Sequence, residues 1–183
     1  MKGFIILLGI LGLASCHASV IPSKDCALQK ILVRSTDPSR NEVYVAKRQG
    51  IEVQFRNENA PKPVEVFPDP LVTVKNITAA KSCDIRDGNG IWSGKSVYFD
   101  ADERALILNE YSGATDALNF YDPKTCQRLA QLDVSNKRWE ISGDRIRTGE
   151  HCKDDGITSC RSIQELRLDN HCLVKESKSR PLK

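Results

Sequence analysis

An apolar leader followed by six cysteines constrains the fold of this chain more than any other feature of its sequence. The leader has one charge, at Lys2, then an apolar run over residues 4–14, and then small residues. This order is typical of a secretory signal peptide, and the apolar run is too short to span a bilayer. We therefore expect residues 1–18 to be a signal peptide and the rest of the chain to fold outside the cytoplasm.

The end of the leader allows two processing sites, and the sequence leaves both open. Residues 13–16, Leu-Ala-Ser-Cys, match a bacterial lipobox, in which Cys16 becomes a lipidated first residue that anchors the protein to a membrane. Residues 16–18, Cys-His-Ala, form a small-residue site whose cleavage releases a protein that begins at Ser19. The lipobox indicates a bacterial source, and we expect the folded chain to lie in the periplasm.

The cysteines beyond the leader form an even set in an exported chain, which indicates three disulfides. They are Cys26, Cys83, Cys126, Cys152, Cys160 and Cys172. Six cysteines allow many pairings, and the sequence does not decide among them. The one pair that the spacing favours is Cys152 with Cys160, because only a short hydrophilic segment separates them.

Short runs of β-branched and aromatic residues, broken by Gly, Pro, Asn and Asp, dominate the chain after the leader. This pattern predicts a mainly antiparallel all-β fold, and the length suits a single compact domain with its own core. We expect that domain to cover residues 19–174. The remaining residues, 175–183, are rich in Lys and Arg, which predicts a flexible basic tail.

The turn signals divide the predicted domain into strands. A strand over residues 26–34 precedes a hairpin of residues 42–47 and 51–56, and four prolines then predict an extended connection that forms no ladder hydrogen bonds. Residues 71–77 are a further strand candidate, and residues 162–168 are ambiguous between a strand and a short helix. The C-terminal half predicts an antiparallel meander over residues 96–100, 104–111, 117–121, 126–134, 138–141 and 145–147.

The chain contains few groups suited to catalysis or to metal binding. Beyond the leader its histidines are His151 and His171, each followed by a cysteine, and a zinc site from these residues and Cys160 is conceivable. Disulfide formation in an exported protein opposes that site, because zinc needs thiolates. Residues 84–90 lack the complete ligand pattern of a calcium loop, so a tight turn is the better interpretation. The net charge of +3, with no basic stripe, gives no indication of nucleic-acid binding.

The segment of residues 109–116 joins two strands of the meander and is the candidate partner-binding site. Its linker is longer than a two-residue reversal, contains the flexible Gly113, and is slim enough to enter a partner's cleft. There it would offer the hydroxyls of Ser112 and Thr115 and the carboxylate of Asp116. An ordinary polar surface loop is the alternative. The candidate residues are Tyr111, Ser112, Gly113, Ala114, Thr115 and Asp116.

At this segment and on both sides of it the sequence resembles a known family, the periplasmic immunity proteins that protect bacteria from type VI secretion amidase effectors of the first amidase family. The match covers residues 82–172 with order and spacing kept, whereas residues 31–80 do not align. The residues that carry the match are Cys83, Asp84, Ile85, Arg86, Asp87, Gly88, Gly90, Ile91, Trp92, Ser93, Glu110, Tyr111, Ser112, Gly113, Tyr121, Asp122, Thr125, Cys126, Arg138, Trp139, Arg147, Gly149, Cys152, Ser159, Cys160 and Cys172.

The resemblance implies an inhibitor that is not an enzyme and needs no cofactor or metal. Its partner would be a papain-like cysteine amidase that cuts peptidoglycan crosslinks between D-glutamate and meso-diaminopimelate. A loop of the inhibitor would enter the substrate groove and contact the catalytic histidine, and residues 111–116 match that loop. The family pattern has two hydroxyl residues after Ser-Gly; this chain keeps Thr115 but has Ala114 at the other place. A glycan- or peptide-binding envelope lipoprotein and a hydrolase that uses His151 or His171 are the alternative hypotheses.

Overall fold

The computed structural model of this chain describes residues 25–88 and 90–175. The predicted signal peptide, its processing site at Cys16, and the basic tail beyond Lys175 lie outside the described residues. Inside them, all strand pairs are antiparallel, which confirms the predicted all-β fold. The same residues include no helix of the length and apolarity needed to cross a membrane.

The strands of the described residues form three sheets. The central sheet contains β1 (Leu28–Ile31), β5 (Val66–Pro68), β8 (Ile91–Asp100), β9 (Leu106–Ser112), β10 (Thr115–Tyr121) and β11 (Arg128–Asp133). The N-terminal sheet contains β2 (Arg34–Ser35), β3 (Val43–Arg48), β4 (Ile51–Arg56), β6 (Val72–Asn76) and β7 (Lys81–Ile85). The C-terminal sheet contains β12 (Arg138–Ser142), β13 (Arg145–Cys152) and β14 (Cys160–Arg167), with a 3-10 turn at Ile157–Ser159 before β14.

The central sheet is the middle layer, because its two faces contribute to two different cores. In β9, Leu106 and Leu108 pack with side chains of the N-terminal sheet, whereas Ile107 packs with side chains of the C-terminal sheet. In β8, Phe99 and Tyr98 divide between the two cores in the same way. Successive side chains of a strand point to opposite faces, so a strand covered on both sides reads as a continuous apolar run.

The structure confirms several predicted strands, but it divides the first predicted strand in two and places a strand in the proline-rich connection. The predicted hairpin is β3 with β4, and the ambiguous segment 162–168 lies mostly in the strand β14. The first predicted strand is instead two short strands, β1 and β2, in different sheets. The proline-rich connection does form ladder pairs, since β5 adds to an edge of β8 and buries Phe67, whose ring stacks on Phe55 at 4.9 Å.

Three disulfides confirm the predicted disulfide set. Cys152–Cys160, the pair that the spacing favours, joins directly opposed residues of β13 and β14. Cys83–Cys126 joins β7 of the N-terminal sheet to the turn between β10 and β11. Cys26–Cys172 joins positions 146 residues apart, so it ties the beginning of the described chain to its end.

A buried ion pair fixes that junction of the two chain ends. Asp100, whose side chain is fully buried, accepts hydrogen bonds from Arg104 Nε at 2.7 Å and from the backbone N–H of Ala27 at 2.9 Å. Arg104 also donates to the carbonyl oxygens of Asp25 at 3.0 Å and Asn170 at 2.7 Å. The two ends of the described chain, at Asp25 and Asn170, therefore meet at the turn between β8 and β9.

Candidate functional site

The candidate partner-binding segment is the hairpin of β9 and β10, which projects from the end of the central sheet away from that junction. Ser112 pairs directly with Thr115, so the loop contains only Gly113 and Ala114. The expectation of a linker longer than two residues is wrong, because Ser112 and Thr115 continue the strands to the turn. Gly113 has a φ of +56°, a conformation that glycine adopts without steric cost at the first position of a two-residue hairpin loop.

The four residues at the end of this hairpin, Ser112, Gly113, Ala114 and Thr115, are all exposed, and we call them the tip. A side chain built on Gly113 would meet nothing within 4 Å, so the space around the turn is open. Thr115 Oγ1 donates to the carbonyl oxygen of Ser112 at 2.8 Å, which closes the turn and leaves the threonine oxygen able to accept. The structure thus brings the predicted tip residues together on a narrow projection.

The two remaining candidate residues, Tyr111 and Asp116, lie at the base of the tip and are half-buried. They face each other in the register of β9 and β10. The Asp116 carboxylate accepts a hydrogen bond from Asn109 Nδ2 at 2.5 Å. The backbone N–H of Asp116 donates to Ser135 Oγ at 2.9 Å. We predicted from the sequence that this carboxylate would bind a partner. In the structure it accepts a hydrogen bond from another residue of the same hairpin.

Two open grooves flank the hairpin, and they differ in the charged side chains that line them. The first, of about 370 Å³, is lined by the acidic residues Glu110, Asp116 and Asp133 and by the hydroxyl residues Ser112, Thr115 and Ser135. Hydrogen bonds from the side chain and the backbone N–H of Ser135 hold the pKa of Asp133 below its usual range. The second groove, of about 540 Å³, is lined by Asp116, Asn136, Lys137, Arg138, His151 and Cys152. Lys137 and Arg138 form ion pairs with Glu150 and Asp155. A partner that encloses the tip would therefore meet carboxylates on one side and ion-paired cations on the other.

A glycine-rich turn packs against the base of the hairpin. A Cβ atom on the buried Gly90 would lie 2.9 Å from Glu110 Cγ and 3.0 Å from the carbonyl oxygen of Tyr111. One on Gly88 would lie 2.1 Å from Trp92 Cζ2. Trp92 is 2% exposed and packs in the core. Trp139 is only partly buried and meets Tyr98 edge-on, with ring centroids 6.4 Å apart.

The groups considered for metal binding have other partners in the structure. The cysteines that a zinc site would use are in disulfides, and His151 and His171 are exposed. In the calcium-like segment, Asp84 accepts a hydrogen bond from Thr73 Oγ1 at 2.8 Å. Asp87 forms an ion pair with Arg128 at 3.1 Å. The carboxylates that resemble calcium ligands are thus bound to protein groups.

Sequence reasoning did not assign a supporting role to the two residues that hold the tip. Asn109 interrupts the apolar run of β9 and is 6% exposed, so a polar residue at a buried strand position was the available signal. Ser135 follows Asp133 by two residues, and its N–H donates to that carboxylate at 2.9 Å. This Asp-x-Ser spacing is typical of an Asx turn, but it does not indicate the strand that the serine contacts.

Comparison with known proteins agrees with the resemblance in the sequence. The family model described as "Immune protein Tsi1" matches residues 26–172, from the first cysteine of the domain to the last. A curated relative named "Immune protein Tsi1", from Pseudomonas aeruginosa, is 31% identical over 150 residues, covering 81% of this chain and 86% of the relative. The chain therefore belongs to the Tsi1 family of immune proteins.

Proposed function

We propose that this immune protein binds and inhibits a type VI secreted peptidoglycan amidase of the papain-like cysteine class, and so protects the cell from intoxication. The observation that carries the proposal is the exposed tip, because a two-residue hairpin is narrow enough to enter a substrate cleft. Neighbouring strands lie about 4.8 Å apart, so the projection has roughly the width of an extended peptide with its side chains. The periplasm, where peptidoglycan is attacked, is the compartment in which it acts.

The mechanism is occlusion, and it needs no chemistry from the inhibitor. The tip occupies the place of the substrate peptide, while Ser112 and Thr115 provide hydroxyls near the amidase's catalytic cysteine–histidine pair. Ala114 provides no side-chain hydrogen bond there, so this chain makes one polar contact fewer than its family pattern implies. A rigid hairpin lowers the free energy that binding must spend on ordering the loop.

The tip alone is too small for a stable complex. Stable protein interfaces bury about 1,200–2,000 Å² in total, far more than four small residues provide. Tyr111, at the base of the tip, and the two charged grooves supply the further contact area. Aromatic side chains are frequent at the centres of such interfaces, which makes Tyr111 the anchor in this proposal. Complementary charges in the grooves would speed association and favour the cognate amidase.

Bulky or charged substitutions in the tip test this proposal directly. We expect Gly113→Trp and Ala114→Glu to abolish inhibition of the cognate amidase in a titration, because both enlarge or charge the part that enters the cleft. The matched control is Gly143→Trp in the hairpin of β12 and β13. Gly143 also has a positive φ, +61°, and open space around it, so the control has the same backbone strain away from the tip.

The control should inhibit like the wild-type protein, with a similar loss of thermal stability in both tryptophan variants. Inhibition that persists in Gly113→Trp and Ala114→Glu would refute insertion of the tip. A wild-type protein that binds no secreted amidase would refute the function itself.

A further inference from the structure

Asn109 ties the two strands of the hairpin together just below the tip. Its Nδ2 donates to Asp116 Oδ1 at 2.5 Å and to the carbonyl oxygen of Ala117 at 3.2 Å. The side chain is almost completely buried, and a buried amide is costly to leave without partners. The Asp116 carboxylate therefore serves as a hydrogen-bond acceptor for this buried amide inside the hairpin.

The backbone of Asp116 is held from the opposite side, by the residues that follow β11. Its N–H donates to Ser135 Oγ at 2.9 Å, and its carbonyl oxygen accepts from the N–H of Val134, also at 2.9 Å. Ser135 Oγ lies 3.4 Å from the same carbonyl oxygen. Asp116 is thus fixed through its side chain to β9 and through its backbone to the end of β11.

The position of this network explains its importance for the tip. Beyond Asp116 and its pair Tyr111, the hairpin consists of the tip alone, and a two-stranded ribbon by itself is barely stable in water. The direction of the tip relative to the central sheet therefore depends on its base. If only a fraction of molecules hold the tip correctly, the apparent affinity for a partner falls by that fraction.

We propose that Asn109, Asp116 and Ser135 are positioning residues, which hold the tip in the orientation that binding requires, and that Asp116 acts through its hydrogen bonds and not through its charge. The proposal rests on the proposed function, since it concerns the tip that enters the amidase. It removes Asp116 from the groups that contact the partner. It adds Asn109, which lies in the predicted segment but was not a candidate contact residue, and Ser135, which lies outside that segment.

Matched substitutions of Asp116 separate hydrogen bonding from charge. Asp116→Asn keeps the oxygen that accepts from Asn109 but removes the charge, so we expect its inhibition constant to rise less than about threefold. Asp116→Ala and Asn109→Ala each remove the bond, and each should weaken inhibition roughly tenfold. The double variant Asn109→Ala/Asp116→Ala should be little weaker than either single variant, because both remove one interaction.

Ser135 provides a second matched pair and a measurement that needs no partner. Ser135→Ala should weaken inhibition, and Ser135→Thr, which keeps the hydroxyl, should restore it. In the free protein, amide hydrogen exchange of residues 112–117 should be about tenfold faster in Asn109→Ala and Ser135→Ala, but not in Asp116→Asn or Ser135→Thr. Exchange in the C-terminal sheet should remain as in wild type, which distinguishes local loosening from general unfolding.

The outcomes decide between positioning and direct contact. Inhibition lost equally in Asp116→Asn and Asp116→Ala, with Asn109→Ala unaffected, would overturn the proposal and assign the carboxylate to the partner. Unchanged tip exchange in Asn109→Ala and Ser135→Ala would also overturn it. If the wild-type protein inhibits no amidase, the proposed function fails, yet the exchange measurements still decide whether the network holds the tip.

Discussion

Asp100 shows how much one buried carboxylate can organise in this protein. Burial alone would raise its pKa, but hydrogen bonds from Arg104 and the N–H of Ala27 outweigh burial and hold the pKa below its usual range. The charged form is therefore the one that the fold stabilises. Because Arg104 also binds both chain ends, this ion pair connects the first strand, the central sheet and the C-terminal residues.

We predict that Asp100→Asn lowers the free energy of unfolding at pH 7 by about 3 kcal/mol, since it removes the buried carboxylate that accepts from Arg104 Nε at 2.7 Å and leaves that arginine with the more distant carboxylate of Asp102, at 3.5 Å. A carboxylate with a lowered folded-state pKa contributes stability above its unfolded pKa, about 3.9, and loses it as pH falls through the folded-state value. The difference between wild type and variant should therefore shrink below about pH 4. Urea unfolding at pH 7 and at pH 3 measures it.

Asp37→Asn is the control for this prediction. Asp37 also has a lowered pKa, from hydrogen bonds with Ser39, but it lies on the surface. Its replacement should change stability little at either pH. A loss in Asp100→Asn that is the same at pH 7 and pH 3 would contradict the linkage between the charge of Asp100 and folding.

At the scale of single residues, the sequence showed that side chains suited to catalysis or metal binding are few. It did not show which polar side chains form hydrogen bonds within the fold. The predicted tip hydroxyls, Ser112 and Thr115, are exposed together, whereas the carboxylate of Asp116 turned out to be engaged by Asn109. Hydrogen bonds between residues far apart in the chain, such as Asp116 to Ser135, depend on strand packing. No local pattern encodes them.

Among the elements, the glycine turn before β8 braces the base of the hairpin. Gly90 lies against Glu110 and the backbone of Tyr111, and its carbonyl oxygen accepts from the N–H of Asp69 at 3.0 Å. There is no space for a side chain at this contact. The turn and β9 therefore fix each other's position, which links the proline-rich connection to the base of the tip.

Gly90→Ala should destabilise the protein by about 1–3 kcal/mol, because the new methyl group meets a backbone carbonyl that cannot move aside. It should also weaken inhibition, since the base of the hairpin must shift. Thermal unfolding and an amidase titration measure the two effects. Gly156→Ala is the control, since its Cβ would meet the Asp154 carboxylate oxygen at 3.2 Å, in an exposed loop that can adjust. Equal stability of the two variants would contradict the claim that close packing of Gly90 supports the base of the hairpin.

The strands were predictable where burial is one-sided or the apolar run is long. Ile51, Val53 and Phe55 alternate with polar residues, and they form β4 as predicted. The strands β5 and β7 were missed, because prolines surround the first and polar residues fill the second. Both owe their pairing to the sheets beside them, which a single segment of sequence does not reveal.

For the whole molecule, the disulfides set how firmly the layers are held. The chain-entropy model relates the stabilisation by a disulfide to the length of chain that it closes. The loops of Cys26–Cys172, Cys83–Cys126 and Cys152–Cys160 have separations of 146, 43 and 8 residues. The sequence predicted the number of disulfides and the shortest pair, but the two long pairings depend on how the sheets stack.

Removing the disulfides one at a time, as paired Cys→Ala variants, should lower the free energy of unfolding, and the loss should be largest for the disulfide with the longest sequence separation. We expect about 5 kcal/mol for Cys26–Cys172, about 4 for Cys83–Cys126 and about 2.5 for Cys152–Cys160. Urea unfolding without reductant measures the three losses. The Cys152–Cys160 variant serves as the internal control for removing two sulfur atoms, and a larger loss there than for Cys26–Cys172 would contradict the order.

Because Asp25 and Asn170 meet at the turn before β9, the described chain can be attached to another molecule at a point distant from the tip. β9 extends from that junction to Ser112 over seven residues, roughly 20 Å. A linker, an immobilising tag or a fused domain added before Asp25 therefore sits at the far end of the central sheet from Gly113. A protein captured on a sensor surface through a tag joined at Asp25 should keep the tip facing the solution.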